Sequence, residues 1–352
     1  MSPSRYLGTA ALAFSSLCAA HAGLFVYQMG APLPAEYWLY ESRVVKRWLI
    51  RDLPSPKLVV AGGSNALFGI DSALLEESLG IPTFNLSLHA GLFLWQTLPE
   101  AQAHLMPGDH VLLLPGYGAF PPRKRYDSWL ADQVMTWDPE YFWHRGPVEK
   151  ARFIGSVAFH RVVAGCLVQA LGRDLPEVRQ RRLRAPDEII EEYKRRTPGR
   201  VTDTASVYSH LNLTARGDLD QTIDTPVSRA DYGLAAAFRE HRDTWNTLRA
   251  FCDYCRAHDV SVYLSWAPIR RSGRLDLRSE PARSHLLEIR RRILDLGIPI
   301  LGEPEDFQYD RSLFADMPYH LNDRGRRQRT RQLAQLLRRR LPCRKPASTP
   351  PW

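Results

Sequence analysis

Three residues in two distant segments are of the types that serine-based catalysis needs. Ser64 lies in VVAGGSNALFGID, directly after an apolar run, and Asp316 and His320 lie four residues apart in FADMPYHLNDRG. A serine becomes nucleophilic when a base takes its proton, and a carboxylate orients that base. These residues therefore predict a triad with Ser64 as the nucleophile. The alternative is that Ser64 only caps the helix that follows.

The glycines around this serine do not fit a nucleotide site. Gly62, Gly63 and Gly69 lack the G-x-G-x-x-G spacing, and no Walker lysine follows them. The phrase GGSNA does approach the G-x-S-x-G turn of α/β-hydrolases, with Ala66 in place of the last glycine. We therefore favour a nucleophile or a tight turn over a phosphate cradle.

Alternating apolar runs and helical patterns predict the elements that position these segments. Strands are expected in KLVVAG, PTFNLSL, PGDHVLLLPGY, VSVYLSWAP and IPILG, and helices in SALLEESLG, in LFLWQTLPEAQAHLM, over 229–258, over 281–296 and from the DRG phrase to about 341. This alternation is typical of a parallel sheet covered on both faces, and it predicts a three-layer α/β/α sandwich of the flavodoxin-like kind. Ligands gather at the carboxyl edge of such a sheet, where the loops of Ser64 and His320 should both open.

The composition divides the chain into five predicted regions. They are a signal anchor or signal peptide (1–30), the first part of the α/β domain (31–120), a largely helical insertion or cap (121–225), the second part of the α/β domain (226–341) and a disordered tail (342–352). The first region has one Arg before an apolar run that is long enough to span a bilayer. AHA at 20–22 resembles a cleavage site, but the run continues past it, which favours an uncleaved anchor and an exported protein.

The net charge of +9 is local. Ten basic residues between Arg324 and Lys345, set against Asp323, account for the whole excess, and no nucleic-acid motif accompanies them. We therefore expect no nucleic-acid partner. Cys252 and Cys255 form a CxxC inside a helical pattern, which indicates ordinary helix residues, and no Cys or His set has zinc spacing.

Together these phrases resemble the SGNH (GDSL-like) hydrolase superfamily. The likeness is carried by GGSNALFGID, the glycine of NLSLHAG, PGDHVLLLP and YHLNDRGRRQRT, and it covers about two thirds of the chain. More closely, the chain resembles exported, membrane-anchored SGNH-like proteins of bacterial cell envelopes, which are relatives of alginate acetylation and teichoic-acid D-alanylation proteins.

The resemblance implies a role for each matching residue. Ser64 would be the nucleophile, His320 the general base and Asp316 its orienting carboxylate, and the N–H groups of Ser64 and Gly91 would bind the oxyanion. The family's third block offers an Asn, whereas this chain reads PGYGAF there. Asn65 or Asn85 could replace it. The spacing also departs, with three residues between the Asp and the His instead of two.

The function implied is an acyl esterase or O-acyltransferase that acts on O-acyl groups of an envelope glycan through an acyl-serine. The alternative is a non-catalytic envelope protein that binds glycan or scaffolds an assembly. Neither needs a metal or an organic cofactor. The expected partners are an O-acylated polysaccharide, the membrane and an integral-membrane acyl donor protein. The expected location is the bacterial inner membrane with the main domain in the periplasm, or the periplasm itself if the signal is cleaved.

Overall fold

The computed structural model describes residues 3–120, 125–171, 184–196, 208–220, 242–271, 277, 279–280 and 282–341. The chain forms two compact units, which are residues 1–40 with 124–188 (the first unit) and 41–123 with 189–352 (the second unit). The predicted tail at 342–352 and the start of the helix predicted over 229–258 lie outside the described residues.

The second unit contains a parallel five-stranded sheet. Its strands are β1 (Leu58–Gly62), β2 (Thr83–Asn85), β3 (His110–Leu114), β4 (Ser261–Ser265) and β6 (Ile300–Leu301), in the order β2-β1-β3-β4-β6. All four pairings are parallel, which confirms the predicted α/β class and the mostly parallel sheet. A separate parallel pair joins β5 (Ile269–Arg270) to β7 (Gln308–Tyr309).

Helices connect these strands and form most of the first unit. Their bounds are α1 (Pro3–Tyr27), α2 (Tyr37–Arg51), α3 (Ser64–Leu67), α4 (Ser72–Leu79), α5 (Leu94–Gln102), α6 (Ser128–Trp137), α7 (Pro139–Trp143), α8 (Pro147–Ser156), α9 (Phe159–Leu171), α10 (Pro186–Arg195), α11 (Arg242–Ala257), α12 (Ala282–Asp295) and α13 (Asp323–Arg338). Short 3₁₀ helices lie at Tyr117–Ala119, His210–Asn212, Pro304–Phe307 and Arg311–Leu313.

The sequence explains why the strands are central and where helices stop. Every residue of β1 and β3 is buried, as expected for strands covered on both faces. Asp71 caps α4 by accepting the Leu74 N–H at 3.0 Å, and Gly80 ends that helix at φ +66°. In the second unit α5 packs against α11 and α4 packs against α13. Cys252 and Cys255 are buried, unbridged residues of α11, as predicted.

A buried ion pair holds the beginnings of the two central strands together. Lys57, just before β1, places its Nζ 2.6 Å from Oδ2 of Asp109, which precedes β3. The same carboxylate accepts the N–H groups of Lys57 and Met106, each at 2.9 Å. The opposite ends of β1 and β3 are thereby aligned at the edge where the Ser64 loop begins.

The first unit is built around the end of α1. Phe25 of α1 is fully buried, with ring contacts to Phe142 at 5.3 Å and Phe153 at 6.0 Å. Before this point α1 is exposed and apolar, and it is long enough to cross a membrane. The bent pair α8 and α9 passes the same test of length and composition only when its two helices are taken together.

Candidate active site

Ser64 lies at the switch point of the sheet. From β1 the chain moves to β2 on one side, whereas β3, β4 and β6 follow on the other side. In sheets of this kind the carboxyl ends of the two strands at the reversal leave a crevice that binds ligands. Ser64 follows the last residue of β1 by two positions, so its loop opens at that crevice.

Close packing explains the two glycines before this serine. A Cβ on Gly62 would lie 2.4 Å from the carbonyl oxygen of Leu114, at the end of β3. A Cβ on Gly63 would lie 3.1 Å from Cα of Ala90, in the loop after β2. The glycines therefore allow the Ser64 loop to touch both neighbouring loops.

The third glycine makes room for a buried arginine. Arg329 of α13 donates from one guanidinium nitrogen to the carbonyl oxygen of Asn65 at 2.8 Å and from another to that of Trp266 at 2.9 Å. A Cβ on Gly69 would lie 2.4 Å from this guanidinium and 2.3 Å from the Asn65 oxygen. Arg329 thus ties the Ser64 loop to the loop after β4.

Ser64 does not cap a helix. It is the first residue of α3, the cap position is occupied by Gly63, and no side-chain hydrogen bond caps α3. The capping alternative is therefore wrong. As the first helical residue, Ser64 has a backbone N–H without an intrahelical acceptor. The residue is 3% exposed.

Asp316 and His320 form a hydrogen-bonded pair. His320 Nδ1 lies 2.8 Å from Asp316 Oδ1, and the Tyr208 hydroxyl donates to Asp316 Oδ2 at 2.9 Å. A backbone bond from the Ala315 N–H to the His320 carbonyl, at 2.8 Å, closes the loop between them. Burial raises the pKa of the Asp316 carboxyl, but the hydrogen bond and charge of His320 and the bond from Tyr208 outweigh it. The net pKa lies below its ordinary value, and the carboxylate is charged at neutral pH.

Phe68 links this pair to the Ser64 loop. The His320 ring stacks on the Phe68 ring, with 4.1 Å between centroids and 3° between planes, and the Phe68 N–H donates to the Ser64 carbonyl at 2.9 Å. Residues four apart on a helical turn share a face, so Ser64 lies on the side of the turn that faces the imidazole. His320 Nε2 is buried and has no hydrogen-bond partner among the described residues. The structure thus brings the serine loop to the histidine, but no hydrogen bond joins Ser64 Oγ to Nε2.

The predicted oxyanion donors differ in availability. The Gly91 N–H already donates to the Nδ1 atom of His89, at 3.0 Å. The side-chain amide of Asn65 donates to the Leu114 carbonyl at 3.2 Å, which uses one of its two hydrogens. The Ser64 N–H is therefore the donor least committed to other contacts, and Gly91 must leave His89 before it can serve.

Asn85 holds its loop and does not supply an oxyanion donor in this structure. Its amide nitrogen donates to the Ala66 carbonyl at 3.0 Å and to Asp218 Oδ1 at 2.9 Å, so both hydrogens are taken. Its own oxygen accepts the Ser87 N–H at 2.9 Å. These bonds tie Asn85 to its loop and leave neither amide hydrogen for an oxyanion.

A buried pair of charges supports the same loops. Asp218 accepts both the N–H and the hydroxyl of Ser72, at 2.7 and 2.8 Å. Lys46 donates to the carbonyl oxygens of Asn85 and Ser87, at 2.8 and 2.5 Å. Burial lowers the pKa of Lys46, and the charge of Asp218 opposes this shift. Burial raises the pKa of Asp218, and hydrogen bonds from Asn85 and Ser72 and the charge of Arg326 oppose it.

Sequence reasoning missed the residues that brace the site. Arg329 was counted only as part of a basic helix, although its spacing of four and eight from Leu333 and Leu337 places it on the apolar face of α13. This position on the apolar face is the feature of the sequence that could have predicted a buried arginine. Tyr208 and Asp218 follow no local pattern, because their partners lie 108 and more residues away.

The chain matches no protein-family model and no curated protein. Among the described residues, no group of three His, Cys, Asp or Glu side chains could hold a metal ion. We therefore infer function from the geometry around Ser64 and His320.

Proposed function

We propose that this protein is a membrane-anchored serine acyl esterase or O-acyltransferase that acts on O-acyl groups of a cell-envelope glycan. One observation carries the proposal: the chain of hydrogen bonds from Tyr208 through Asp316 to His320 ends beside the Ser64 loop at a buried Nε2 atom, which has no hydrogen-bond partner within the described part of the chain. A histidine held by a carboxylate, with its second nitrogen available, is the arrangement of a general base.

In the first half of the reaction, Ser64 takes the acyl group. His320 Nε2 accepts the hydroxyl proton as Oγ bonds to the acyl carbon. The tetrahedral intermediate then collapses, the bond to the sugar oxygen breaks, and the imidazolium returns the proton to that oxygen. Asp316 keeps its charge throughout, because its pKa is below the ordinary value, and it stabilises the imidazolium by attraction.

In the second half, the acyl-serine is released. Water or a sugar hydroxyl gives its proton to Nε2 as its oxygen attacks the acyl carbon, and the proton then returns to Ser64 Oγ as the ester bond to Oγ breaks. Water yields an esterase and a sugar hydroxyl yields a transferase. Both halves require Ser64 Oγ to reach hydrogen-bond distance of Nε2.

The oxyanion would be held by backbone N–H groups. The Ser64 N–H is one donor, and the Gly91 N–H becomes the second when it exchanges His89 Nδ1 for the substrate oxygen. An oxyanion-hole donor that is already in place is worth about 10²- to 10³-fold in rate. Before this exchange only the Ser64 N–H is available to the oxyanion, and after it both N–H groups are.

The finer fold assignment belongs to the same proposal. We infer a three-layer sandwich and kinship with SGNH hydrolases from the strand order, from the α5–α11 and α4–α13 pairs, and from the Ser64 and His320 loops. The finer location follows from α1, whose length and apolar character support a single anchor with the α/β unit in the periplasm. An anchored transferase would lie close to an integral-membrane acyl donor, and its acceptor would be the envelope polysaccharide.

The second candidate is a non-catalytic protein that binds glycan in the same crevice. It is favoured by the 3% exposure of Ser64, by the absence of a bond from Oγ to His320 and by the engagement of the Gly91 N–H with His89. Under this proposal the Asp316–His320 pair only holds its loop in place.

Hydrolysis of p-nitrophenyl acetate by the full chain in detergent tests the proposal. Ser64→Ala and His320→Ala should each reduce turnover to the uncatalysed rate. Ser87→Ala is the matched control, because Ser87 is also buried near the site and its hydroxyl has no hydrogen-bond partner among the described residues. Turnover that persists in Ser64→Ala would contradict the proposal, and an inactive wild type that binds acylated glycan would favour the second candidate.

A further inference from the structure

Helix α9 exposes an apolar stripe. Phe159, Val163, Leu167 and Leu171 are spaced four residues apart and therefore lie along one side of the helix (the α9 stripe). Phe159, Leu167 and Leu171 are 61%, 55% and 61% exposed. The only charged residue of α9 besides a histidine is Arg161, which pairs with Asp132 at 2.7 Å.

The other side of α9 is attached to the end of α1. A Cβ on Gly165 would lie 2.6 Å from Oε1 of Gln28, the residue that follows α1, so α9 touches the chain where α1 ends. The ring of Phe159, the first residue of the stripe, lies 5.9 Å from the ring of His21. These contacts fix α9 to the last two turns of α1.

This attachment lies at the depth where a bilayer would end. A helix crosses the hydrocarbon core in about 20 residues, and that length counted from Tyr6, just after Arg5, ends at Phe25. Leu12 is 69% exposed, as a lipid-facing residue would be, whereas Phe25 is fully buried in the first unit. Because His21 lies four residues before that end, its contact with Phe159 places the start of the α9 stripe about 6 Å inside the core, within the depth that the apolar face of an interfacial helix reaches.

The helix pair does not fit a second span. Helices α8 and α9 meet at 93°. At 1.5 Å per residue, the 13 residues of α9 reach only about 20 Å, short of the roughly 30 Å core. Helix α8 carries Glu149, Lys150 and Arg152. A short helix with an apolar side, held at the end of a span, is suited to lie in the plane of the interface.

We propose that α9 lies on the membrane surface, with the α9 stripe inserted among the lipid acyl chains beside α1. The inference rests on the proposed anchoring by α1 and extends it, since it adds a second contact with the lipid. Two contacts fix the orientation of the first unit on the bilayer. A single helix would leave that orientation open, because it can rotate about its own axis.

Photocrosslinking to lipid tests this contact in the full chain. Benzoyl-phenylalanine replaces Phe159 or Leu167 in the stripe, Leu12 in α1 as the anchor control, or Leu287 of α12 as the matched control, which is 54% exposed and lies in the second unit. Each protein is reconstituted in vesicles of phosphatidylcholine and phosphatidylglycerol that contain an alkyne-tagged lipid, and the tagged adduct is measured after irradiation.

The expected result is adduct at both stripe positions in yields comparable with Leu12 and several-fold above Leu287. Adduct at Leu12 with the stripe at the Leu287 level would overturn the inference and leave the anchor intact. Adduct at none of the positions would remove the anchor and the inference together. In whole cells, a discrete protein adduct at Leu167 in place of lipid would show that a partner covers the stripe, which also contradicts the inference.

Discussion

Replacing Arg329 by Met should affect the site far more than the fold. The guanidinium is fully buried, and burial lowers its pKa to about 10 from an ordinary 12.5. At 1.36 kcal/mol per pKa unit, the charged form is disfavoured by about 3 kcal/mol in the folded protein at neutral pH. Arg329→Met removes this cost but leaves the carbonyl oxygens of Asn65 and Trp266 without their donor, which costs about 1.5 kcal/mol for each. The two effects nearly cancel.

Arg329→Met should therefore change the free energy of unfolding by no more than about 2 kcal/mol. The Asn65 and Trp266 carbonyls lose their common donor, so the Ser64 loop is released from the loop after β4. We expect a fall of about 10²-fold in esterase kcat, the loss that a 1 Å misplacement can cause. Urea unfolding and p-nitrophenyl acetate turnover measure the two effects. A variant that is strongly destabilised, or one that keeps full turnover, would refute this reasoning.

Three further substitutions test other parts of the structure. Asp109→Ala leaves the buried charge of Lys57 unpaired and should lower the free energy of unfolding in urea by about 3–5 kcal/mol. Asp52→Ala, in an exposed pair, should lower it by less than about 1 kcal/mol. Similar losses of stability in the two variants would contradict this. Asp316 has a lowered pKa, so its stabilisation is present above about pH 4 and is lost as the pH falls through the folded value. The difference in the free energy of unfolding between wild type and Asp316→Asn should become smaller below that pH. A difference that stays constant as the pH falls would contradict this expectation. His89→Ala frees an oxyanion N–H and should raise kcat by up to about fivefold, since the competing bond is worth about 1 kcal/mol; a lower kcat would refute that role.

The sequence alone was sufficient to predict the strands of the sheet and the end of a helix. Five apolar runs became the five strands of the sheet, and the glycine after SALLEESL ends its helix at Gly80, because strand burial and helix termination depend on residues close together in the chain. The closeness of Asp316 and His320 was predictable for the same reason. They lie in one loop, four residues apart.

The braces of the site were not predictable in this way. Gly69 has an ordinary backbone conformation, and it is required because Arg329, 260 residues away, passes over it. The sequence around Asp218, TARGDLD, carries no local signal for the burial of this residue, which depends on Ser72 and Asn85. Such contacts are set by how distant segments pack, which residue periodicity does not encode.

Mapping a fluorophosphonate adduct on the full chain tests the central claim most directly. The probe needs an activated serine and an oxyanion site, but no particular acyl group or acceptor. We expect one adduct, found by peptide mass spectrometry on Ser64 and lost in His320→Ala. A folded protein that carries no adduct on Ser64, or carries it equally in His320→Ala, would contradict the account.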